Sequence, residues 1–207
     1  MFIDKRILYI VLGLFIVSNL AGLLSNTNAL LSLLISLPAV LIAITFHEYA
    51  HAWAADRLGD DTPRRQGRLS LNPFSHLDPI GTVMLVFAGF GWGKPVEIDS
   101  RNFNRNIKMS VAEAIVAAAG PLMNFILAII FTIIYAAIWK FAPSFVLTQV
   151  GSIVMILLSA CVSVNVGLGV FNLIPLPPLD GSKVIKPFLP YNAKQWFEDN
   201  ERIFYII

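Results

Sequence analysis

The residues of this sequence best suited to chemistry are two histidines and a glutamate in the pattern HExxH. They are His47, Glu48 and His51. On a helix, side chains at positions i and i+4 lie on the same face, so both imidazoles can bind one metal ion. The glutamate then lies beside the water that such a metal activates. The motif therefore predicts metal-assisted hydrolysis, with His47 and His51 as ligands and Glu48 as the base.

The stretch of chain around this motif is apolar enough to be buried in lipid. Between Arg6 and Asp56, Glu48 is the only Asp, Glu, Lys or Arg residue. The 207-residue chain is 57% hydrophobic and 14% charged, which indicates a polytopic membrane protein and excludes a soluble domain. A packed His pair without a metal is the alternative, but ionisable groups at membrane depth are costly and rarely occur there without a function.

Four apolar stretches are long enough to cross a bilayer, so we expect an all-α polytopic membrane protein whose single domain covers residues 1–207. The four predicted full transmembrane helices are residues 7–24, 30–58, 110–140 and 146–173. We expect the first of them to stay in the protein, because no cleavable signal pattern is evident. Residues 203–207 predict the start of a further C-terminal helix that the sequence does not complete.

Residues 79–98 predict a short re-entrant or hairpin segment rather than another span. The apolar run Pro79–Phe90 has only 12 residues, and a turn rich in Gly and Trp follows it. Its residues 89–98 suit one of two roles, which the sequence leaves open. They supply an edge strand that holds an unwound substrate peptide, or they form a plain amphipathic loop at the membrane interface.

The distribution of Lys and Arg predicts the topology. With the N-terminus inside and residues 79–98 returning to their own side, fourteen of the 15 Lys and Arg residues lie on one face, and Lys140 alone lies opposite. The positive-inside rule makes that face cytoplasmic. We therefore expect a multi-pass protein of the cell membrane with its site near the cytoplasmic side. The basic loops should contact anionic lipid headgroups of the bilayer rather than nucleic acid.

A tetrahedral zinc site needs a third protein ligand besides two imidazoles and a water. Asp180 is the only Asp, Glu, Lys or Arg residue within 141–182, and the predicted topology brings it to the side of the HExxH motif. We predict that it is the third ligand, although Asp-Gly is also a common turn pair. His76 is the rival ligand, but its polar loop favours a structural role.

Three motifs together resemble the site-2 protease family of intramembrane zinc metalloproteases. They are HEYAH at 47–51, GP-x-x-N at 120–124 and NLIPLPPLDG at 172–181. Three further segments resemble a compact prokaryotic branch of that family, which lacks appended PDZ or CBS domains. These segments are GRLSLNP at 67–73, HLDPIGT at 76–82 and GWGKPV at 91–96.

The resemblance implies one zinc ion per chain, bound by His47, His51 and Asp180, with Glu48 as the catalytic base. It places Asn172 near the reacting carbonyl, and Asn124 is a second candidate for the donor that binds the oxyanion. Each amide could equally pack between helices. The implied activity is hydrolysis of peptide bonds in or near the transmembrane segments of single-span membrane proteins. The sequence indicates no oligomeric state.

Two other classes of protein remain as alternatives. A metal transporter predicts polar ligands spread along a pathway, whereas the polar residues here are concentrated at one end of the spans. A non-proteolytic scaffold that binds membrane helices would tolerate loss of Glu48 or Asp180, and both are present.

Overall fold

The computed structural model describes residues 17–19, 21–22, 25–88 and 91–196. Most of the predicted span 7–24 and all of the predicted helix start at 203–207 lie outside these residues. The described part of the chain is helical and contains no strand, only one isolated β-bridge between Leu77 and Gly93. The prediction of an all-α membrane protein is therefore confirmed, whereas the count of four spans stays a prediction.

Three helices are long and apolar enough to cross a membrane. They are α1 (Thr27–Arg57), α4 (Met109–Phe141) and α6 (Gln149–Asn172). At about 1.5 Å per residue, each exceeds the roughly 30 Å of a hydrocarbon core. These helices agree to within a few residues with three of the predicted spans. The shorter α-helices are α2 (Thr62–Arg65), α3 (Pro79–Ala88), α5 (Pro143–Val146) and α7 (Asp180–Ile185).

Small residues let the three long helices approach one another closely. Helix α4 packs on α1, α6 and α7. The side chains at the contacts are mostly alanines, and Ala39, Ala43 and Ala112 are completely buried. Large apolar side chains such as Ile129 and Ile133 are instead exposed on the outer face of α4. This arrangement is typical of helices in lipid, where close backbone packing replaces a large hydrophobic core.

The segment after α1 makes a hairpin, as the sequence predicts for residues 79–98. Helix α3 is about 15 Å long, too short to cross a bilayer. The antiparallel bridge between Leu77 and Gly93 brings the two ends of the segment together. At Gly81, a Cβ atom would collide with the Trp92 carbonyl, so this glycine permits the close return of the chain. The two ends of the segment therefore lie side by side, as a hairpin requires, whereas its re-entry from one side of a membrane stays a prediction.

A buried carboxylate, Asp60, ties the end of α1 to the loop before α4. Its Oδ1 accepts hydrogen bonds from Thr62 N and Asn102 Nδ2, both at 3.0 Å, and its Oδ2 accepts one from Asp99 N at 2.8 Å. Burial opposes the charge, but the hydrogen bonds outweigh it and hold the pKa of Asp60 below its usual range. The ionised form of Asp60 therefore stabilises the fold.

We expect Asp60→Asn to destabilise the protein by about 1–3 kcal/mol at pH 7, because an amide NH2 would face a backbone or amide donor. A carboxylate with a lowered pKa stabilises the fold above the ordinary Asp pKa of about 3.9, and this contribution is lost as pH falls through the lower folded value. The difference in melting temperature between wild type and variant should therefore shrink below about pH 4.

The matched control is Asp61→Asn, because Asp61 is exposed and only pairs with Arg65 on the surface. It should change the melting temperature little at either pH. Equal effects of the two substitutions at pH 7 would contradict the role of Asp60.

Candidate active site

Three metal-ligating atoms meet at one point between α1 and α7. The Nε2 atoms of His47 and His51 lie 3.0 Å apart, and the Oδ2 atom of Asp180 lies 3.1 Å from the first and 3.2 Å from the second. Zinc bonds of about 2.0–2.1 Å place tetrahedral ligand atoms about 3.3 Å apart. The three atoms therefore occupy three corners of a tetrahedron of nearly the size that zinc requires.

The hydrogen bonds of Asn124 determine which nitrogen of His47 faces this point. The Asn124 amide Nδ2 donates to the Ala43 carbonyl at 3.1 Å and to Asn165 Oδ1 at 2.9 Å. Its Oδ1 is therefore the atom that lies 2.6 Å from His47 Nδ1. That oxygen can only accept, so Nδ1 carries the hydrogen and a neutral His47 presents an Nε2 lone pair.

The second imidazole is oriented by a backbone carbonyl. Nδ1 of His51 lies 2.7 Å from the Val116 carbonyl oxygen, which can only accept a hydrogen bond. Nε2 of a neutral His51 therefore also presents a lone pair. Metal-binding histidines commonly donate their other ring N–H to a carbonyl or carboxylate in this way.

The resulting arrangement suits a cation. Two imidazole lone pairs and a carboxylate oxygen lie within 3.2 Å of one another without a hydrogen between them. The Asp180 Oδ2 atom is buried and has no hydrogen-bond partner among the described residues. Such electron pairs repel one another unless a positive ion lies among them. Two His and one Asp are a donor set typical of zinc, so the residues present fit that ion.

Helix α4 can support the two imidazoles only because of Gly120. A Cβ atom at this position would overlap His51 Nε2 and Cε1 and would lie 2.7 Å from His47 Cε1. Asn124, one turn further along α4, hydrogen-bonds to the back of the His47 ring. The GP-x-x-N motif thus combines a close approach of the α4 backbone with a hydrogen bond that orients a ligand.

A second glycine allows Asp180 to reach the site. The run Leu173–Leu179 contains three prolines and leads directly into α7, which begins at Asp180. At Gly181, a Cβ atom would collide with the carbonyl oxygens of Leu173 and Ile174. The Asp-Gly pair is therefore more than a turn signal, because the glycine packs α7 against the end of α6.

Glu48 lines a cavity of about 1400 Å³ that His47, His51 and Asp180 also line. Its side chain is half-buried, and its Oε2 accepts a hydrogen bond from the Val96 amide at 3.1 Å. Val96 belongs to residues 91–98, which run along one wall of the cavity. Gly93 in this segment lies against Ile44 and the His76 carbonyl, so the segment fits tightly against α1.

The two asparagines that the sequence suggested as oxyanion donors have different surroundings and hydrogen bonds in the structure. Asn172 lines the cavity at the end of α6, and its Nδ2 donates to the Leu168 carbonyl at 3.0 Å. Asn124 is buried behind His47, and its two amide hydrogens are used by Ala43 and Asn165. Both amide hydrogens of Asn124 are therefore in use, and its Oδ1 fixes the orientation of the His47 ring.

The rival ligand His76 does not join the site. It is completely buried in the loop before α3, and its Nε2 lies 2.7 Å from the Ser70 carbonyl. Among the described residues, the group able to hold a metal consists of His47, His51 and Asp180. His76 has the structural position that its loop predicts, since its carbonyl accepts the Lys94 amide at 2.7 Å.

Two groups that hydrogen-bond to residues of the site were not identified from the sequence. Asn165 is completely buried and links Asn124 to the Cys161 carbonyl, and the Val96 amide binds Glu48. A polar amide in the middle of an apolar span was the available signal for Asn165. A backbone amide carries no such signal.

Helices long enough to span a membrane, with HExxH on one of them and the Asp180 carboxylate beside both histidines, are typical of intramembrane metalloproteases. The model of Peptidase family M50 matches residues 35–207 of this chain. A protein of Bacillus subtilis (strain 168) named "Putative zinc metalloprotease YwhC" is 38% identical over 168 residues, which cover 81% of this chain and 75% of the relative.

More distant relatives carry a similar name. Proteins named "Putative zinc metalloprotease Rip2" from Mycolicibacterium smegmatis and Mycobacterium tuberculosis are 29% and 28% identical over 75% and 72% of this chain. The chain spans 60% and 55% of the length of these two relatives. No solved structure gave a significant match. The chain belongs to Peptidase family M50, as the resemblance predicted, and it is an intramembrane zinc metalloprotease.

We expect Gly120→Ala to lower zinc affinity by at least about tenfold, because the added methyl group displaces both imidazoles. Zinc content after dialysis against a graded chelator measures this. Gly167→Ala on α6 is the matched control, since a Cβ atom there meets nothing within 4 Å. Zinc retained equally by both variants would show that α4 does not constrain the ligands.

The two asparagines should also differ in this assay. Asn124→Leu removes the hydrogen bond that orients His47 and should weaken zinc binding by about 10–100-fold. Asn172→Leu alters a side chain in the cavity that bonds only to its own helix, so zinc should be retained. The reverse result would exchange the roles of the two residues.

Proposed function

We propose that the protein is a zinc endopeptidase of the site-2 type that cleaves single-span membrane proteins, with Glu48 as general base and with His47, His51 and Asp180 as the zinc ligands. The observation that carries this proposal is the convergence of three ligand atoms beside Glu48 in one large cavity. A cavity of about 1400 Å³ is large enough for a stretch of peptide rather than for a bare ion.

The reaction requires a water molecule, a base and an electrophile. His47, His51 and Asp180 would hold the zinc, which would supply a water of lowered pKa and an electrophile for the peptide carbonyl. Glu48 takes one proton from the water as the water oxygen bonds to the carbonyl carbon. It then gives that proton to the amide nitrogen as the C–N bond breaks. The Val96 amide holds Oε2 of Glu48, which leaves Oε1 for the water.

Asn172 is the favoured donor to the developing oxyanion. One hydrogen of its amide is used by Leu168, and the other is available to the cavity that Asn172 lines. An amide aimed at developing negative charge is a common stabilising group in acyl transfer. Asn124 takes the supporting role instead, because its hydrogens are already donated.

A transmembrane helix must unwind before its amides can be cleaved. Residues 91–98 are neither helix nor turn, Gly93 forms a β-bridge with Leu77, and the Lys94 amide is bonded to the His76 carbonyl. We infer that this segment holds the unwound peptide by strand addition. The site then lies near the cytoplasmic face, because Arg57 is the last residue of α1, Arg64 and Arg65 follow it, and Lys140 lies at the far end of α4.

A metal transporter is the weaker alternative. The described residues contain one group able to hold a metal rather than a series along a pathway. The side-chain amides of Asn124 and Asn165, in the middle of the spans, are hydrogen-bonded to helix carbonyls and to each other. They therefore do not form a second metal-binding site along a pathway. Glu48, poised in the cavity without being one of the ligands, has a role in hydrolysis and none in transport.

The test is cleavage of single-span substrates by purified protein in detergent. Glu48→Gln should lower kcat/KM by about 10²–10⁴-fold while retaining zinc, because it removes the proton acceptor and not a ligand. Asp180→Ala should lose zinc and activity together. Asp61→Asn is the matched control, because Asp61 is exposed and outside the cavity lining.

Each variant has a result that would count against the proposal. Residual cleavage by Glu48→Gln at the wild-type rate would remove Glu48 as the base. Full zinc content in Asp180→Ala would remove Asp180 from the ligand set.

A further inference from the structure

One of the three histidines has no role in the reaction as described so far. His47 and His51 belong to the candidate metal site, whereas His76 is completely buried in the loop before α3. Its Nε2 lies 2.7 Å from the Ser70 carbonyl oxygen, which can only accept, so a neutral His76 ring donates from Nε2. Its Nδ1 is buried and has no hydrogen-bond partner among the described residues. An apolar side chain is easier to bury than such a ring, so the one ring bond needs an explanation.

Two side-chain hydrogen bonds close the loop of residues 67–78. The buried guanidinium of Arg68 donates to the Ser75 carbonyl, and the His76 ring donates back to the Ser70 carbonyl. Both bonds join the beginning of the loop to its end. They therefore fix the position of the His76 backbone, although nothing in this loop belongs to the metal-ligand group.

The His76 backbone in turn holds the segment that reaches Glu48. The His76 carbonyl accepts the Lys94 amide at 2.7 Å, and the Val96 amide, two residues later, donates to Glu48 Oε2 at 3.1 Å. Pro95 lies between these two amides. A proline fixes its own φ and also restricts the backbone of the residue before it. A displacement of Lys94 is therefore passed on to Val96 rather than absorbed between them.

We propose that His76 is a positioning residue for the reaction. Its Nε2 hydrogen bond holds the 67–78 loop against residues 91–98, and so fixes the Val96 amide that orients the Glu48 carboxylate. His76 itself belongs neither to the metal-ligand group nor to the residues that line the cavity. The proposal rests on the proposed role of Glu48 as the base, because the orientation of this carboxylate matters to the rate only if it takes a proton.

Loss of the ring bond should affect the chemical step more than zinc binding. The two imidazoles are oriented by Asn124 and by the Val116 carbonyl, which lie on α4 and not in the loop. A general base must lie within hydrogen-bond reach of the proton that it takes, and a displacement of about 1 Å can lower a rate by about 100-fold. We therefore expect kcat to fall by about 10–100-fold, while KM and zinc content change much less.

The experiment replaces the ring by side chains that differ in one property. His76→Gln places an amide donor near the position of Nε2, whereas the shorter amide of His76→Asn corresponds to Nδ1 and does not reach Ser70. His76→Met fills similar space without a donor. Zinc content, kcat and KM are measured on each purified protein with a single-span substrate. Met and Asn should lower kcat by about 10–100-fold with zinc retained, and Gln should restore most of the loss.

Removal of the base distinguishes positioning from a general effect on the fold. The Glu48→Gln protein has no carboxylate to orient, so the addition of His76→Met should cause no further loss of its residual activity. A general effect on the fold would lower the activity of both proteins alike. If His76→Met fails to retain zinc, the comparison of Gln with Asn carries the test, because these two side chains differ by one methylene group.

Phe74→Met is the matched control within the same loop. Phe74 is 82% exposed and lies outside the cavity lining, so its replacement by the same methionine should leave kcat unchanged. An equal loss of kcat in Phe74→Met and His76→Met would show that the loop tolerates no substitution, and would remove the specific role of His76.

The remaining outcomes separate this proposal from the proposed function. Wild-type kcat in His76→Met, or equal losses in the Gln and Asn variants, would overturn the positioning role and leave the protease intact. A further loss in the Glu48→Gln background would also overturn it. Failure of the wild-type protein to cleave any single-span substrate would instead refute the proteolytic function, and with it the reaction that His76 is proposed to serve.

Discussion

The rest of this structure depends on the hydrogen bonds of the Asn124 side-chain amide. Through one side chain it bonds to the His47 ring and the Ala43 carbonyl of α1, and to Asn165 of α6. In a hydrocarbon environment an unpaired amide is costly, so each of these bonds favours the arrangement in which all are made. The same bonds that hold three helices together also set the tautomer of a metal ligand. The contacts that join the helices therefore also orient the imidazole proposed to bind zinc.

Close packing is the second requirement, and it explains why small residues surround the chemistry. Gly120 leaves room for the two imidazoles, and Gly181 leaves room for the backbone at the end of α6. Ala39 and Ala43 are completely buried and let the other long helices pack closely against α1. Larger residues at these positions would separate the backbones that supply the Val116 and Ala43 carbonyls. The polar groups of the site can be satisfied without water only because these backbones lie so close together.

The sequence alone predicts two kinds of feature. One is the set of residues that share a helix face, and the other is the rare charged residue in an apolar stretch. HExxH places His47 and His51 on one face of a helix, and the isolated charge of Asp180 marks it as the partner once the topology is drawn. The roles of Asn124 and Asn172 could not be separated, because both are amides in apolar surroundings, and only tertiary contacts show which has free hydrogens. The Val96 amide could not be predicted, because backbone donors are identical at every position except proline.

The bond between the Val96 amide and Glu48 couples the position of the base to the wall of the cavity. The segment that contains Val96 also presses Gly93 against α1 and bonds to the loop of His76. A change in its length or path would therefore move the base as well as the wall of the cavity. Residues 91–98 and the HExxH helix therefore act as one mechanical unit: a substituted side chain can reshape the cavity wall and leave Glu48 in place, whereas an insertion or deletion cannot.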